Sequence, residues 1–334
     1  MSLDLSTQYL GLTLKNPLVV GACPVNYELD GARRNEDAGA AAIVVPSLHS
    51  DRLEAEETGL AAVMDGPAHG FAEALDFFPD TELVLGPHEH LERTMALKEC
   101  LGIPVIASLS GSLDSDWGTY AGLLAETGAD AIELNLGLVP ADPTRGATSV
   151  EAQLVDVVSR VKANADLPLA IKLPPSFTTL ANFAVQLENA GVSGLTLFSR
   201  FQETWIDTDE LELRLEYAQS SRADLPLRIR WLAILSAQRR LDLAISGGVQ
   251  TGNHVISALM AGASAVQIVS EVLSGGASRI RAVLDEVETW LTDCDYEAIA
   301  ELEGCMNIDR CPDPAYYLLH EPVKELMRHW THRH

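Results

Sequence analysis

Two stretches toward the C-terminal end carry the clearest chemical signal in this sequence. Ile245-Ser246-Gly247-Gly248-Val249-Gln250-Thr251-Gly252 is followed after about fifteen residues by Val266-Gln267-Ile268-Val269-Ser270. Each reads as a short apolar strand that stops at small residues and gives way to a helix start. Glycine lets a backbone approach a ligand with no Cβ in the way. The orphan N–H groups and the dipole at a helix start attract phosphate. The pair therefore predicts a phosphate grip that uses the backbone of Gly247, Gly248, Val269 and Ser270.

Two further side chains could meet a ligand. Lys172, in Ala170-Ile171-Lys172-Leu173-Pro174-Pro175, ends an apolar strand and is one of only five lysines. A charge in such a place is costly without a partner, so Lys172 reads as a cation for an anionic ligand, or else as a lysine snorkelling at a rim. Asn135 ends Ile132-Glu133-Leu134-Asn135-Leu136 and offers both a donor and an acceptor to a heterocycle edge, or a cap to a turn. Glu133, on the same strand, either pairs with a basic group inside the fold or faces the ligand.

These residues must be positioned by a repeated strand-then-helix pattern. Strands are expected at Leu18–Gly21, Ala42–Val45, Val105–Ser108, Ala131–Leu134, Leu169–Leu173, Gly194–Phe198, Leu243–Ser246 and Ala265–Ile268. Their continuous apolar character suits parallel strands buried on both faces. Helices are expected between them at Leu29–Ala38, Leu91–Cys100, Trp117–Glu126, Val150–Ala163, Leu180–Asn189, His254–Ala261 and Arg279–Leu291, and several stop at a capping glycine such as Gly39, Gly128 or Gly262. Eight strands in alternation favour an α/β fold of the (β/α)8 TIM-barrel type, with the phosphate grip after strands seven and eight.

One barrel domain is expected over residues 1–310, with a helical tail over 311–334 carrying His329, His332 and His334. Two segments break the rhythm, near 50–90 (with His69, His88 and His90) and at 201–238 (with Trp205 and Trp231). Both follow strands and read as inserts that form lids or partner surfaces.

Composition narrows the function classes. A formal charge of −25 repels nucleic acid and anionic membranes. No apolar run reaches membrane-spanning length, and Met1–Leu10 lacks the regions of a signal peptide; a cytoplasmic protein is expected. The five cysteines (Cys23, Cys100, Cys294, Cys305 and Cys311) are odd in number, with no CxxC. Free thiols are expected rather than disulfides or a metal site, and no iron–sulfur spacing is present.

Taken in order, these motifs resemble the dihydroorotate dehydrogenase family, in its soluble class 1 branch, over most of Leu5–Cys305. Leu10-Gly11-Leu12-Thr13-Leu14-Lys15-Asn16-Pro17-Leu18 is similar to that family's first hairpin. Lys172-Leu173-Pro174-Pro175 is similar to its flavin-contacting lysine motif, and the Gly247-Gly248-Val249 and Gln267-Ile268-Val269-Ser270 segments to its FMN phosphate loops. The resemblance implies FMN across the C-terminal mouth of the barrel. It puts Lys172 near the N1/O2 edge, Asn135 at the pyrimidine edge, and Gly21, Ala22 and Ser47 along the ring and ribityl chain. It also suggests a homodimer or a redox partner protein.

Departures fall on the substrate side. Leu138, in Gly137-Leu138-Val139-Pro140, stands where the family has a Cys or Ser base, and leucine cannot accept a proton. Pro46 replaces a lysine, and Phe198-Ser199-Arg200-Phe201 replaces an Asn pair. The expected substrate is a small unsaturated or planar molecule other than dihydroorotate. His49 is a candidate acid or base and Arg200 a candidate carboxylate clamp. The alternatives are a non-catalytic or electron-relay FMN subunit of a larger assembly, and a flavin-free phosphate-binding barrel.

Overall fold

The apolar runs pair edge to edge until the sheet closes on itself. Thirteen strands fall within the described residues of the computed structural model, which are 3–49, 87–137, 139–199, 203–216 and 219–318. They are β1 Thr7–Tyr9, β2 Leu12–Leu14, β3 Leu18–Val20, β4 Ala42–Val44, β5 Leu48–His49, β6 Val105–Ser110 and β7 Ala131–Asn135, then β8 Leu169–Leu173, β9 Gly194–Leu197, β10 Glu203–Asp207, β11 Glu212–Glu216, β12 Asp242–Ser246 and β13 Ala265–Ile268. Eight of them, β3, β4, β6, β7, β8, β9, β12 and β13, form a closed parallel barrel. The short β5 prolongs the edge of β6 beyond β4.

Helices cover the outside: α1 Leu29–Asp37, α2 Pro87–Cys100, α3 Trp117–Glu126, α4 Ala147–Asn164, α5 Leu180–Asn189, α6 Leu225–Gln238, α7 Gly252–Ala261, α8 Ser270–Gly275, α9 Ser278–Asp293 and α10 Ala315–Leu318. Their apolar stripes meet outward strand residues such as Ile132, Ile171, Leu195, Ile245 and Val266 in one continuous core. This is a (β/α)8 barrel. Among the described residues no helix is long and apolar enough to cross a membrane.

Inside the barrel a second, smaller cluster forms. Ala42, Ala131, Ala170, Ala244 and Ala265, near the strand starts, leave room that the β1–β2 hairpin fills with Tyr9, Leu10 and Leu14. Burying each leucine contributes roughly 1.5–3 kcal/mol. Asp242 Oδ2 accepts from the Leu10 N–H at 2.6 Å and locks the plug in place. The N-terminal end is therefore sealed, and the C-terminal end is the mouth.

The segment expected as an insert at 201–238 is corrected by the structure. Its first part is an antiparallel hairpin, β10–β11, which exposes Trp205, Ile206 and Leu213. Its second part, α6, is the barrel helix between β9 and β12, with Leu225, Leu232 and Leu235 in the core. Arg228 interrupts the apolar stripe because it too is buried, so the periodicity of that helix is hidden. Of the other expected insert, residues 50–86 lie outside the described residues, as does the tail beyond 318 with its three histidines.

Candidate active site at the barrel mouth

Alternation along a strand sends every second residue into the barrel. On β7 the inward set is Ala131, Glu133 and Asn135, and on β8 it is Ala170 and Lys172. Above the alanine layer the interior turns polar. Gln267 accepts from Lys172 Nζ through Oε1 at 2.8 Å and donates through Nε2 to Glu133 Oε2 at 2.6 Å. Glu133 Oε1 lies 3.4 Å from Lys172 Nζ, and Thr196 donates to Glu133 Oε2 at 3.0 Å. Glu133 thus pairs with a basic group inside the fold, which settles the choice its strand position left open.

Glu133, Thr196 and Gln267 are almost completely buried and Lys172 nearly so. Tyr9, on the plug, reaches Thr196 Oγ1 at 3.4 Å. Burial, reinforced by the Glu133 charge, pushes the phenol far above its usual value. Tyr9 therefore keeps its proton and donates to Thr196, whose own hydroxyl donates a hydrogen bond to Glu133.

A line of paired residues runs from the mouth into the interior: His49 with Ser110, Ser110 with Asn135, Asn135 with Lys172, and Lys172 with the fully buried Thr196. Paired residues in a sheet project to the same side, so His49 shares the inward side of Ser110 and Asn135. The Asn135 Oδ1 atom is buried with no hydrogen-bond partner, and so is the Ser199 Oγ just beyond β9. Leaving such atoms unsatisfied costs about 1–3 kcal/mol each. A ligand with polar edges at the mouth would satisfy both. Ser47 Oγ is 2.7 Å from Ser108 Oγ on the neighbouring strand. Gly21 lies under Val269: a Cβ added there would sit 2.8 Å from Val269 Cγ2 and 3.2 Å from Gln267 Oε1. Ala22 follows it, half-buried. Burial pushes the Cys23 thiol up to about 11, so it is protonated at neutral pH and is no nucleophile.

The two glycine and serine segments expected to grip a phosphate have a third neighbour that their own sequences did not announce. Gly247 and Gly248 both hold left-handed backbone, with φ of 94° and 85°. A Cβ on Gly248 would stand 2.9 Å from Ser221 O, and one on Gly247 would stand 2.9 Å from Arg228 Nη2. Arg228, buried, donates to the carbonyls of Ser246, Asp224 (2.6 Å) and Phe198 (3.4 Å). Ser270 Oγ accepts from Ser220 N at 3.0 Å and lies 2.9 Å from Ser220 Oγ. Gly248 therefore packs against Ser221, Gly247 against the Arg228 guanidinium and Ser270 against Ser220, so both loop segments meet the stretch that leads into α6. The capping box Ser221-Arg222-Ala223-Asp224 was a legible sign of this helix start.

Asn26 is a further positioning residue without a motif. Its Nδ2 reaches the carbonyls of Val20, Gly21 and Val44 and ties the ends of β3 and β4 together. Of the histidines near the first insert, His88 is exposed beside Glu92. His90 is buried, its Nδ1 2.9 Å from the Tyr27 hydroxyl. Burial pulls its pKa down to about 4, with the nearby His49 charge adding to the effect. Leu138 and Arg200 lie outside the described residues.

Left-handed glycines after β12, an interior lysine and an unpartnered asparagine oxygen at the same end of the barrel agree with what the chain resembles. A family model described as dihydroorotate dehydrogenase matches residues 86–291, more than half of the 334. The chain belongs to this family. Named relatives are distant but match along most of their length. The catalytic subunit of dihydroorotate dehydrogenase B (NAD(+)) of Pyrococcus abyssi is 25% identical over 90% of this chain and 98% of its own. Its counterpart in Thermoplasma acidophilum is likewise 25% identical, over 90% and 98%. The PreA subunit of the NAD-dependent dihydropyrimidine dehydrogenase of Escherichia coli is 23% identical over 92% of this chain and 78% of its own. The candidate site residues on β6 to β13 fall within the family match. Gly21, Ala22, Ser47 and His49 precede it.

Proposed function

We propose that this chain is an FMN-dependent oxidoreductase that moves a hydride between the flavin and a small unsaturated or planar substrate other than dihydroorotate. The observation that carries the proposal is that the Gly247-Gly248 and Ser270 segments, Lys172 and the orphaned Asn135 Oδ1 open on one barrel mouth. FMN, when bound, supplies the hydride acceptor and donor. The chain supplies the rest. Backbone groups of Gly247, Gly248, Val269 and Ser270 hold the phosphate, with Arg228 behind them. Gly21, Ala22 and Ser47 border the ring and ribityl chain. Asn135 meets the pyrimidine edge or the substrate. Lys172 has two of its three N–H groups committed to Gln267 and Glu133, so one remains for the flavin edge.

Removing a hydride from a C–H bond beside a second, acidic C–H requires a base. With Leu138 in the family's base position, His49 is our candidate, because its register puts it level with Asn135 and on the same side of the sheet. Arg200 is the candidate clamp for a substrate carboxylate. The relatives' names as subunits support a partner protein that exchanges electrons with this chain. The same names favour an electron-relay role as the second reading.

Purified full-length protein tests this directly. A yellow preparation with about one FMN per chain, reduced by a member of a panel of dihydropyrimidines and related cyclic compounds, is the expected result. A colourless protein that takes up no added FMN would overturn the proposal. Flavin that no small substrate reduces, but that a partner reductase does, would leave the relay.

A further inference from the structure

Glu133 stands out once the barrel interior is surveyed for charge. The layer beneath it is alanine with the hairpin plug, and packing alone would be satisfied by another apolar side chain. Buried ion pairs are weak contributors to stability, and apolar replacements are often neutral or better. Yet Glu133 is 1% exposed and receives Gln267 Nε2, Thr196 Oγ1 and Lys172 Nζ. All three neighbours donate, so both carboxylate oxygens serve as acceptors, the role of an ionised group. Gln267 cannot turn its amide without setting donor against donor, because its carbonyl faces Lys172 and its amide nitrogen faces Glu133.

Resting on the FMN reading above, we propose that Glu133 sets the reduction potential of the bound flavin by partly neutralising Lys172. Gln267 and Thr196 act as positioning residues that keep the carboxylate below the lysine. Hydride uptake leaves negative charge at the flavin edge, which Lys172 favours. Glu133 opposes it from one layer deeper: it pairs with Ala170 in register, whereas Lys172 pairs with Asn135, two residues nearer the mouth. Both charges sit where water is scarce, so neither is screened away. Glu133 and Lys172 therefore pull the potential in opposite directions, with the lysine, being nearer, the stronger.

Spectroelectrochemical titration of the flavin-loaded full chain reads this sign. Glu133→Gln should raise the midpoint potential, Lys172→Met should lower it, and the double variant should lie between the two singles. Glu133→Asp, which keeps the charge but draws it back by one methylene, should give a smaller rise and serves if the amide variant does not fold. General damage to the site would move both single variants the same way and weaken FMN uptake in each. Loaded Glu133 variants whose potential is unchanged or lowered would overturn this proposal and leave the flavin reading intact. A parent protein that binds no FMN would overturn both.

Discussion

Lys172 and Glu133 face each other at 3.4 Å inside the barrel, with the Gln267 amide bridging them. The lysine is thus held at its ammonium end by two acceptors, which leaves one donor uncommitted to either. That arrangement makes its electrostatic effect on a ligand measurable.

Replacing Lys172 by Met keeps much of the stem and removes the charge. A unit charge about 4 Å from the flavin edge contributes roughly 4 kcal/mol at an effective dielectric near 20. Desolvation and the opposing Glu133 leave a fraction of that. A net loss of about 1.4 kcal/mol corresponds to about 30 mV for a two-electron couple. The midpoint potential should fall by that order, with weaker FMN binding by equilibrium titration. An unchanged potential in the loaded variant would remove Lys172 from the flavin edge.

Gly248→Val should strip the flavin. Its φ of 85° disfavours any β-branched residue, and the new Cβ would meet Ser221 O at 2.9 Å and Leu225 N at 3.0 Å. FMN content per folded chain, measured after release by heat, should drop to near zero. Stoichiometric flavin in a folded Val variant would count against the phosphate assignment.

Dihydroorotate should be turned over negligibly, well below the roughly 1 per second that marks the slow end of typical enzymes. With the true substrate, His49→Gln should lower kcat by about 100- to 10,000-fold while FMN content is kept. Full activity in that variant would assign the base elsewhere.

His90 makes stability depend on pH in a known direction. Its folded pKa, about 4, lies below the ordinary 6.5 because burial disfavours the cation. The unfolded chain therefore binds a proton first as pH falls. Stability contributed by the neutral ring is complete above about 6.5 and is lost progressively down to about 4, with no further loss below. The full window corresponds to about 3 kcal/mol. Carboxylates titrate in the same region, so the comparison is with His90→Gln. Denaturant midpoints between pH 7 and 4 should fall less in the variant; parallel curves would show that His90 does not carry this linkage.

Much of the fold was legible in local pattern. The eight apolar runs became the eight barrel strands, to within a residue or two at each end, because buried parallel strands need continuous apolar sequence and leave a run that can be read directly. The glycine caps marked helix ends for the same local reason: Gly262 takes a φ of 109° at the end of α7. Helix α6 was missed because its buried face includes Arg228, whose partners are carbonyls from three separate segments. Ser220 was missed because a serine in a loop has no pattern until Ser270 is set against it.

Sequence by itself determined the strand and helix order, the glycine positions that need left-handed backbone, and the presence of a lysine and an asparagine at strand ends. Those depend on neighbours within a few residues. Barrel closure decided the rest. It brought Glu133 within reach of Lys172, 39 residues on, and Gln267 within reach of both, 134 residues from the glutamate. It also brought His49 level with Asn135 through Ser110. Strand tilt and register set these meetings, and both are properties of the closed sheet as a whole.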